Sequence, residues 1–156
     1  MSINEKLNAI ISYILAETEE EKEKAVSEMK NLKTEKVITK DVEEEIVTIL
    51  CEIGMPEHIK GYKYSVNAIK SVIENPDMLE AVVGELYPAV AEKFNTTGSR
   101  VERAIRHAIE VAWERCDFKT TEKYFGSTVS ALKGKPTNSE FIARIANIVQ
   151  RRMRSA

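Results

Sequence analysis

The chain has 156 residues, of which 43% are apolar and 31% are charged, and its formal net charge is −2. This mixture is typical of a folded globular protein, and the length suits one domain with a short appendage. No stretch approaches the roughly 18 apolar residues that a membrane span needs. The N-terminus has no signal-peptide pattern, so we expect a cytoplasmic protein.

Cysteine and histidine are too few and too scattered to predict a metal site or a disulfide framework. We interpret Cys51 and Cys116 as small packed apolar residues, and His58 and His107 show no metal-ligand spacing. We expect no cofactor. An enzyme is disfavoured because the chain lacks a Gly-rich phosphate loop, a Cys–His pair at readable spacing and clustered catalytic carboxylates.

Charge is distributed unevenly along the chain. Residues 1–45 contain 7 Lys and 12 Asp or Glu, whereas residues 46–156 contain 16 Lys or Arg and 13 Asp or Glu. The first segment is therefore acidic and the second is weakly basic. This asymmetry is weak evidence that the second segment has a polyanionic partner.

Helical periodicity begins at the N-terminus. Residues 3–15 carry an apolar stripe, and Thr18 followed by Glu21 has the spacing of a capping box that opens a second helix to about Leu32. Residues 33–41 are charged and weakly periodic, and they are predicted as a linker. The domains predicted are therefore a helical appendage with a linker, 1–41, and a main domain, 42–156. The stripe consists of Ile3, Leu7, Ile10, Ile11, Ile14 and Leu15.

The main domain is also predicted to be all-α, because strand-like alternation is absent. Gly54 and Pro56 end a helix over 42–53, and Asn75-Pro76 ends one over 64–74. Further features are Asp77 as a cap for the next helix, a start or kink at Pro88, a break at 95–98 and a helix over 99–115. A shorter helical piece is predicted after Gly126, and a last helix opens at Thr137 and runs to about Met153.

Residues 86–116 have the sequence shape of a helix-turn-helix: a helix, a short turn with Gly98, and a longer amphipathic helix. The basic residues of the second helix fall in its first two turns, where a recognition helix points into the major groove of DNA. An arginine fork can bind guanine O6 and N7 together, and a glutamate can accept from cytosine N4. An outer face with mixed charge is also typical of a simple solvated helix.

Five runs extend the pattern beyond one motif. They are IGMPEHIKGY (53–62), LYP (86–88), NTT (95–97), SRVERAIRHAIEVAW (99–113) and GKPTNSEFIA (134–143). Through them, residues 42–154 resemble the DNA-binding effector domain of the master response regulator of endospore formation. The resemblance implies an all-helical domain whose helix-turn-helix reads a short guanine-containing box, often in tandem copies.

The resemblance also implies roles for individual residues. The positions expected to face base edges are Arg100, Glu102 and Arg103. The positions expected near phosphates are Ser99, Arg106, His107, His58, Lys60 and Lys135. The expected partner is double-stranded DNA, and the expected function is sequence-specific transcription regulation.

The sequence departs from the family in three places. Residues 1–41 are too short and too helical for the phospho-receiver domain that precedes the family's effector, so we expect no phosphorylation switch. Gly98 stands where the family has Ala, and Cys116 stands where it has Gly. The first change is expected to loosen the helix start, and the second to strain the helix end if a left-handed conformation is needed there.

The function of the appendage has two interpretations. The apolar stripe of residues 3–15 packs either on the chain's own effector core or on a second copy, and we favour a homodimer. An alternative function for the whole chain is a decoy that pairs with the full-length regulator. Retention of Arg100, Glu102 and Arg103 argues against the decoy, because a decoy needs no base readout.

Overall fold

Every regular element in residues 3–15, 18–126 and 134–155 is helical, which confirms the all-α class. These are the residues that the computed structural model describes. Their side chains are described as well, except those of residues 30–41. The chain divides into two compact units, Met1–Asp41 and Val42–Ala156. The helices are α1 (Ile3–Leu15), α2 (Glu19–Glu52), α3 (Lys60–Glu74), α4 (Tyr87–Lys93), α5 (Gly98–Arg115), α6 (Phe118–Phe125) and α7 (Asn138–Ser155).

The helix α2 is longer than predicted. Residues 33–41, expected to form a linker, lie within it, so the expected break is wrong. The segment contains no Gly or Pro, and its Lys and Glu residues are good helix formers. As predicted, the Thr18 hydroxyl caps the start of the helix, accepting from the Glu21 amide at 3.2 Å.

Gly54 ends α2, as the sequence predicts. Its φ of +83° lies in the left-handed region. The Gly54 amide donates to the Cys51 carbonyl and the Met55 amide donates to the Leu50 carbonyl, both at 3.0 Å. These two bonds form a Schellman motif, in which glycine supplies the positive φ.

In the first unit, α1 and the start of α2 line one cleft, through residues that include Ser12, Leu15 and Ala25. Among the side chains of this unit that the structure describes, Ala9 and Ala25 are the buried apolar ones. At about 100° per residue, Ala9 lies on the opposite side of α1 from Leu7 and Ile14. Most of the predicted stripe therefore points away from α2, although Leu15 lines a cleft with residues of α2. All six side chains of the stripe are exposed.

In the second unit, α3 is the central helix and packs against α5 and α7. It begins at Lys60, four residues before the predicted start, and includes Gly61. A Cβ at Gly61 would lie 2.0 Å from the Ala104 carbonyl oxygen and 2.7 Å from the Ala108 Cβ. The backbones of α3 and α5 therefore touch at this point, which explains a glycine inside a helix.

Between α3 and α4 the backbone is irregularly helical. Asn75 ends α3 as predicted, a 3-10 turn covers Pro76–Glu80, and a π-helical turn covers Val82–Leu86. The prediction of Asp77 as a cap is wrong: Asn75 holds the cap position, without a side-chain cap bond, and Asp77 lies inside the turn. Pro88 stands in the first turn of α4, where its missing N–H costs nothing.

The last helices complete the core. The helix α6 was not predicted from the sequence. It begins after Asp117, whose carboxylate accepts from the Thr120 amide at 2.8 Å. Thr137 caps α7 as predicted, accepting from the Glu140 amide at 3.2 Å. The helical piece predicted after Gly126 falls on residues 127–133, outside the described residues.

Aromatic residues fill the space between α5, α6 and α7. The Phe125 ring stacks on Phe141 with centroids 5.5 Å apart, and the Trp113 ring meets Phe125 edge-on at 5.0 Å. Tyr124, Phe125 and Phe141 are fully buried. The two cysteines differ from expectation, because Cys51 is exposed and Cys116 is half-buried. Cys116 is extended, with φ −78° and ψ 142°, so no left-handed strain arises there.

The two glycines that meet α5 should respond to alanine in opposite ways. Gly61→Ala should lower the free energy of unfolding by about 1–3 kcal/mol, because the new methyl group overlaps the α5 backbone. Gly98→Ala should raise it by about 0.4–1 kcal/mol, because a Cβ there would lie 3.6 Å from the Tyr87 Cβ, an ordinary contact.

Urea titration of both variants beside the wild type measures these changes. Equal changes of the same sign would show that α3 and α5 do not touch at Gly61.

Candidate nucleic-acid interface

A four-residue turn joins the short helix α4 to the long helix α5. Asn95 adopts a φ of 51°, a left-handed conformation that asparagine tolerates. The Thr96 amide donates to the Ala91 carbonyl at 3.0 Å, and the Thr97 hydroxyl accepts from the Arg100 amide at 3.3 Å. Turn and cap together therefore fix where α5 begins relative to α4.

The two faces of α5 differ sharply. Its inner face is buried in the core through Val101, Ile105, Ala108, Ile109 and Ala112. Its outer face carries Arg100, Arg103 and His107 at a spacing of three and four residues, and all three are exposed. Ser99 is exposed in the first turn. The structure thus brings these predicted residues together on one face.

Glu102 lies apart from the two exposed arginines. At about 100° per residue it stands some 160° from Arg100 and 100° from Arg103, at the edge of the buried face. Its carboxylate accepts from the Arg106 guanidinium at 3.0 Å, an exposed pair one helical turn apart. The predicted cytosine acceptor and one predicted phosphate contact are therefore partners of each other.

Lys135 reaches α5 from the loop before α7. Its ammonium lies 2.8 Å from the Glu110 carboxylate. This hydrogen bond is the main reason that the pKa of Glu110 is lowered, with the charge of Lys135 as the second cause. Lys135 therefore lies beside the exposed side of α5, although Lys135 and Glu110 are 25 positions apart in sequence.

His58 and Lys60 are both exposed at the start of α3. Gly61, which follows them, touches the α5 backbone at Ala104. This contact brings the loop 56–59 and the first turn of α3 beside the middle of α5. His58 and Lys60 therefore lie close to α5 in the second unit.

Two residues that the sequence analysis did not single out connect the helices behind this face. Asn138 and Tyr87 are both buried. The Asn138 amide nitrogen donates to the Tyr87 hydroxyl at 3.1 Å and to the Glu102 carbonyl at 3.0 Å. We call this arrangement the Asn138 clasp. Its sequence signals were the positions of Tyr87 in the LYP run and Asn138 in the GKPTNSEFIA run.

A cleft of about 520 Å³ opens beside the clasp. Its walls come from the π-helical turn, α4, α5 and the start of α7, and include Val83, Glu102, Arg106 and Lys135. Within the described residues, no group of three or more His, Cys, Asp or Glu side chains could hold a metal ion. None of the helices described there is long and apolar enough to cross a membrane.

Comparison with known protein families gives a match over residues 46–149, more than half of the chain. The matching family is described as the sporulation initiation factor Spo0A C terminal. The match covers α3 to α6, the turn before α5 and most of α7. The chain therefore belongs to the Spo0A C-terminal family, a family of DNA-binding domains that regulate transcription in sporulation.

Proposed function

We propose that this protein is a sequence-specific, double-stranded DNA-binding regulator of transcription in which α5 enters the major groove. The observation that carries the proposal is the exposed row of Arg100, Arg103 and His107 on a helix held by a short helix and a capped turn. The opposite face of α5 is buried, and this exposed row is available to enter a groove. The same role assigns the protein to the cytoplasm.

Base recognition is assigned to Arg100, Arg103 and Glu102. The two exposed arginines offer planar forks for guanine O6 and N7. Glu102 is paired with Arg106 in the free protein, so its contact with cytosine N4 requires an exchange. As Glu102 turns to the base, Arg106 is released toward a phosphate. The pair is exposed, so breaking it costs little.

Phosphate contacts surround the row of base-reading residues. Ser99 lies in the first turn of α5, where backbone N–H groups point out of the helix and favour an anion. Lys135 approaches α5 from the loop before α7, and the start of α3 approaches it at Ala104. The complete proposed phosphate set is Ser99, Arg106, His107, His58, Lys60 and Lys135.

Two copies of the chain associate through α1 in this proposal. Ile3 and Ile14 are 75% and 71% exposed, and most of the stripe faces away from α2. A short amphipathic helix is marginal until its apolar face is buried. The six stripe residues carry no charge, so the same stripe on a second copy is a complementary surface for a two-fold interface. Two linked DNA-binding domains would suit tandem boxes.

The base-reading assignment predicts a loss confined to the preferred sequence. Arg100→Ala and Arg103→Ala should each weaken binding to the guanine-containing box by about 1–3 kcal/mol, with most of that loss absent on a scrambled duplex. Titrations of both duplexes at one stated salt concentration measure this. Arg115→Ala, at the far end of α5, is the matched control. Equal losses on both duplexes would reduce the two arginines to electrostatic contacts.

The phosphate assignment predicts a change in salt dependence. Lys60→Ala and Lys135→Ala should each weaken binding on every sequence, and each should reduce the slope of log K against log salt by about one unit. Lys119→Ala, an exposed lysine on α6, is the control. A lysine whose removal leaves the slope unchanged does not lie on the DNA face.

Association through α1 predicts a dimer that dissociates when charged residues are introduced into the apolar stripe. The wild-type chain should sediment as a dimer at micromolar concentration. The double variant Leu7→Lys with Ile14→Lys should be monomeric and bind a tandem site less tightly, while its affinity for a single box stays unchanged.

A control variant adds the same charge elsewhere in the first unit. Asn8→Lys with Ser27→Lys changes two exposed polar positions and should remain dimeric. A wild-type chain that is monomeric, or a stripe variant that dimerises normally, would refute association through α1.

A further inference from the structure

The Asn138 clasp joins three helices through one side chain. Asn138 is the first residue of α7 and is only 9% exposed. Its single amide nitrogen donates one hydrogen to α4, at the Tyr87 hydroxyl, and the other to α5, at the Glu102 carbonyl. Three helices therefore meet at one –NH₂ group.

The chemistry of the clasp is specific to an amide. Serine has one donor hydrogen and an ionised aspartate has none, so neither residue can hold both partners. The Tyr87 hydroxyl is buried and needs a partner, because an unsatisfied buried polar group is costly. Burial raises the pKa of Tyr87, and the hydrogen bond from Asn138 opposes that rise. Asn138 is therefore matched to both of its acceptors.

The clasp contacts α5 at one of the residues that are assigned to DNA recognition. The Glu102 carbonyl belongs to the residue between Arg100 and Arg103 in sequence on α5. Tyr87 is the first residue of α4, at the end of that helix far from the turn. The turn holds α4 to α5 at one end through Thr96 and Thr97, and the clasp adds a second tether through α7. Two separate contacts fix the angle between two helices, whereas a single contact allows one helix to rotate relative to the other.

We propose that Asn138 is a positioning residue for sequence recognition, which sets the orientation of the first two turns of α5 by holding Tyr87 and Glu102 together. This inference rests on the proposed function. In the proposed complex Asn138 does not contact DNA. It acts by placing Arg100 and Arg103 correctly. Base contacts need accurate placement, whereas contacts with phosphates tolerate a tilt, so loss of the clasp should reduce specificity more than affinity.

The test measures dissociation constants for the guanine-containing box and for a scrambled duplex. Asn138→Asp removes both donated hydrogens at nearly constant size, and Asn138→Ala removes them without adding charge. In both variants the ratio of the two constants should fall about tenfold, roughly the discrimination that one well-placed base contact provides. Asn147→Asp, an exposed position on the same helix, makes the identical chemical change and should keep the wild-type ratio.

Two further variants separate positioning from general stability. Ile142→Val loosens the core contact of α7 without touching the clasp, and it should keep the ratio even though its melting temperature falls. Tyr87→Phe breaks only the bond to α4 and should lower the ratio by a smaller factor in a fully folded protein. An unchanged ratio in folded Tyr87→Phe and Asn138→Ala would overturn the inference, as would an equal fall in Ile142→Val.

The wild-type measurement distinguishes the two levels of the proposal. A wild-type chain that binds both duplexes equally would overturn the proposed function and this inference with it. A wild-type chain that discriminates, with clasp variants that discriminate equally well, would overturn this inference alone.

Discussion

The contact of Gly61 with the α5 backbone at Ala104 is the constraint on which the candidate site depends. It allows the central helix α3 to touch α5 without an intervening side chain, and so fixes how deeply α5 sits in the core. The same contact carries the loop with His58 and Lys60 to the side of α5. The core buries one face of α5, and Arg100 and Arg103 stand on the exposed remainder of its surface.

Local sequence signals predicted much of this fold. The 3.6-residue periodicity identified the buried face of α5, and the caps at Thr18 and Thr137 were predicted from spacing alone and are present as hydrogen bonds. Predictions failed where distant parts of the chain decide the conformation. Gly61 lies before the helix predicted over 64–74, and only the closeness of α5 explains its place inside α3. The helix α6 is short, and its Asp117 cap was overlooked.

The face of α5 that carries the candidate site could be predicted from the sequence. The hydrogen-bond and ion-pair partners around it could not. Sequence spacing shows that Arg100, Arg103 and His107 share one side of α5, but it does not show that Lys135 meets Glu110 from 25 positions away. Nor does it show that Asn138 joins Tyr87 to Glu102. Such partners are brought together by packing between α4, α5 and α7. Motif resemblance located the residues, and the packing of these helices determines which of them are already engaged.

The ion pairs around α5 affect how a weakly basic domain can select a DNA sequence. Glu102 holds Arg106 and Glu110 holds Lys135, so two of the cations near the interface are partly neutralised in the free protein. Neutralised cations attract arbitrary DNA less strongly, because non-specific affinity comes from phosphate neutralisation. Arg100 and Arg103 are exposed on the face assigned to base reading. In the proposed function, this distribution of charge favours discrimination over raw affinity, which raises the importance of whatever holds α5 at the correct angle.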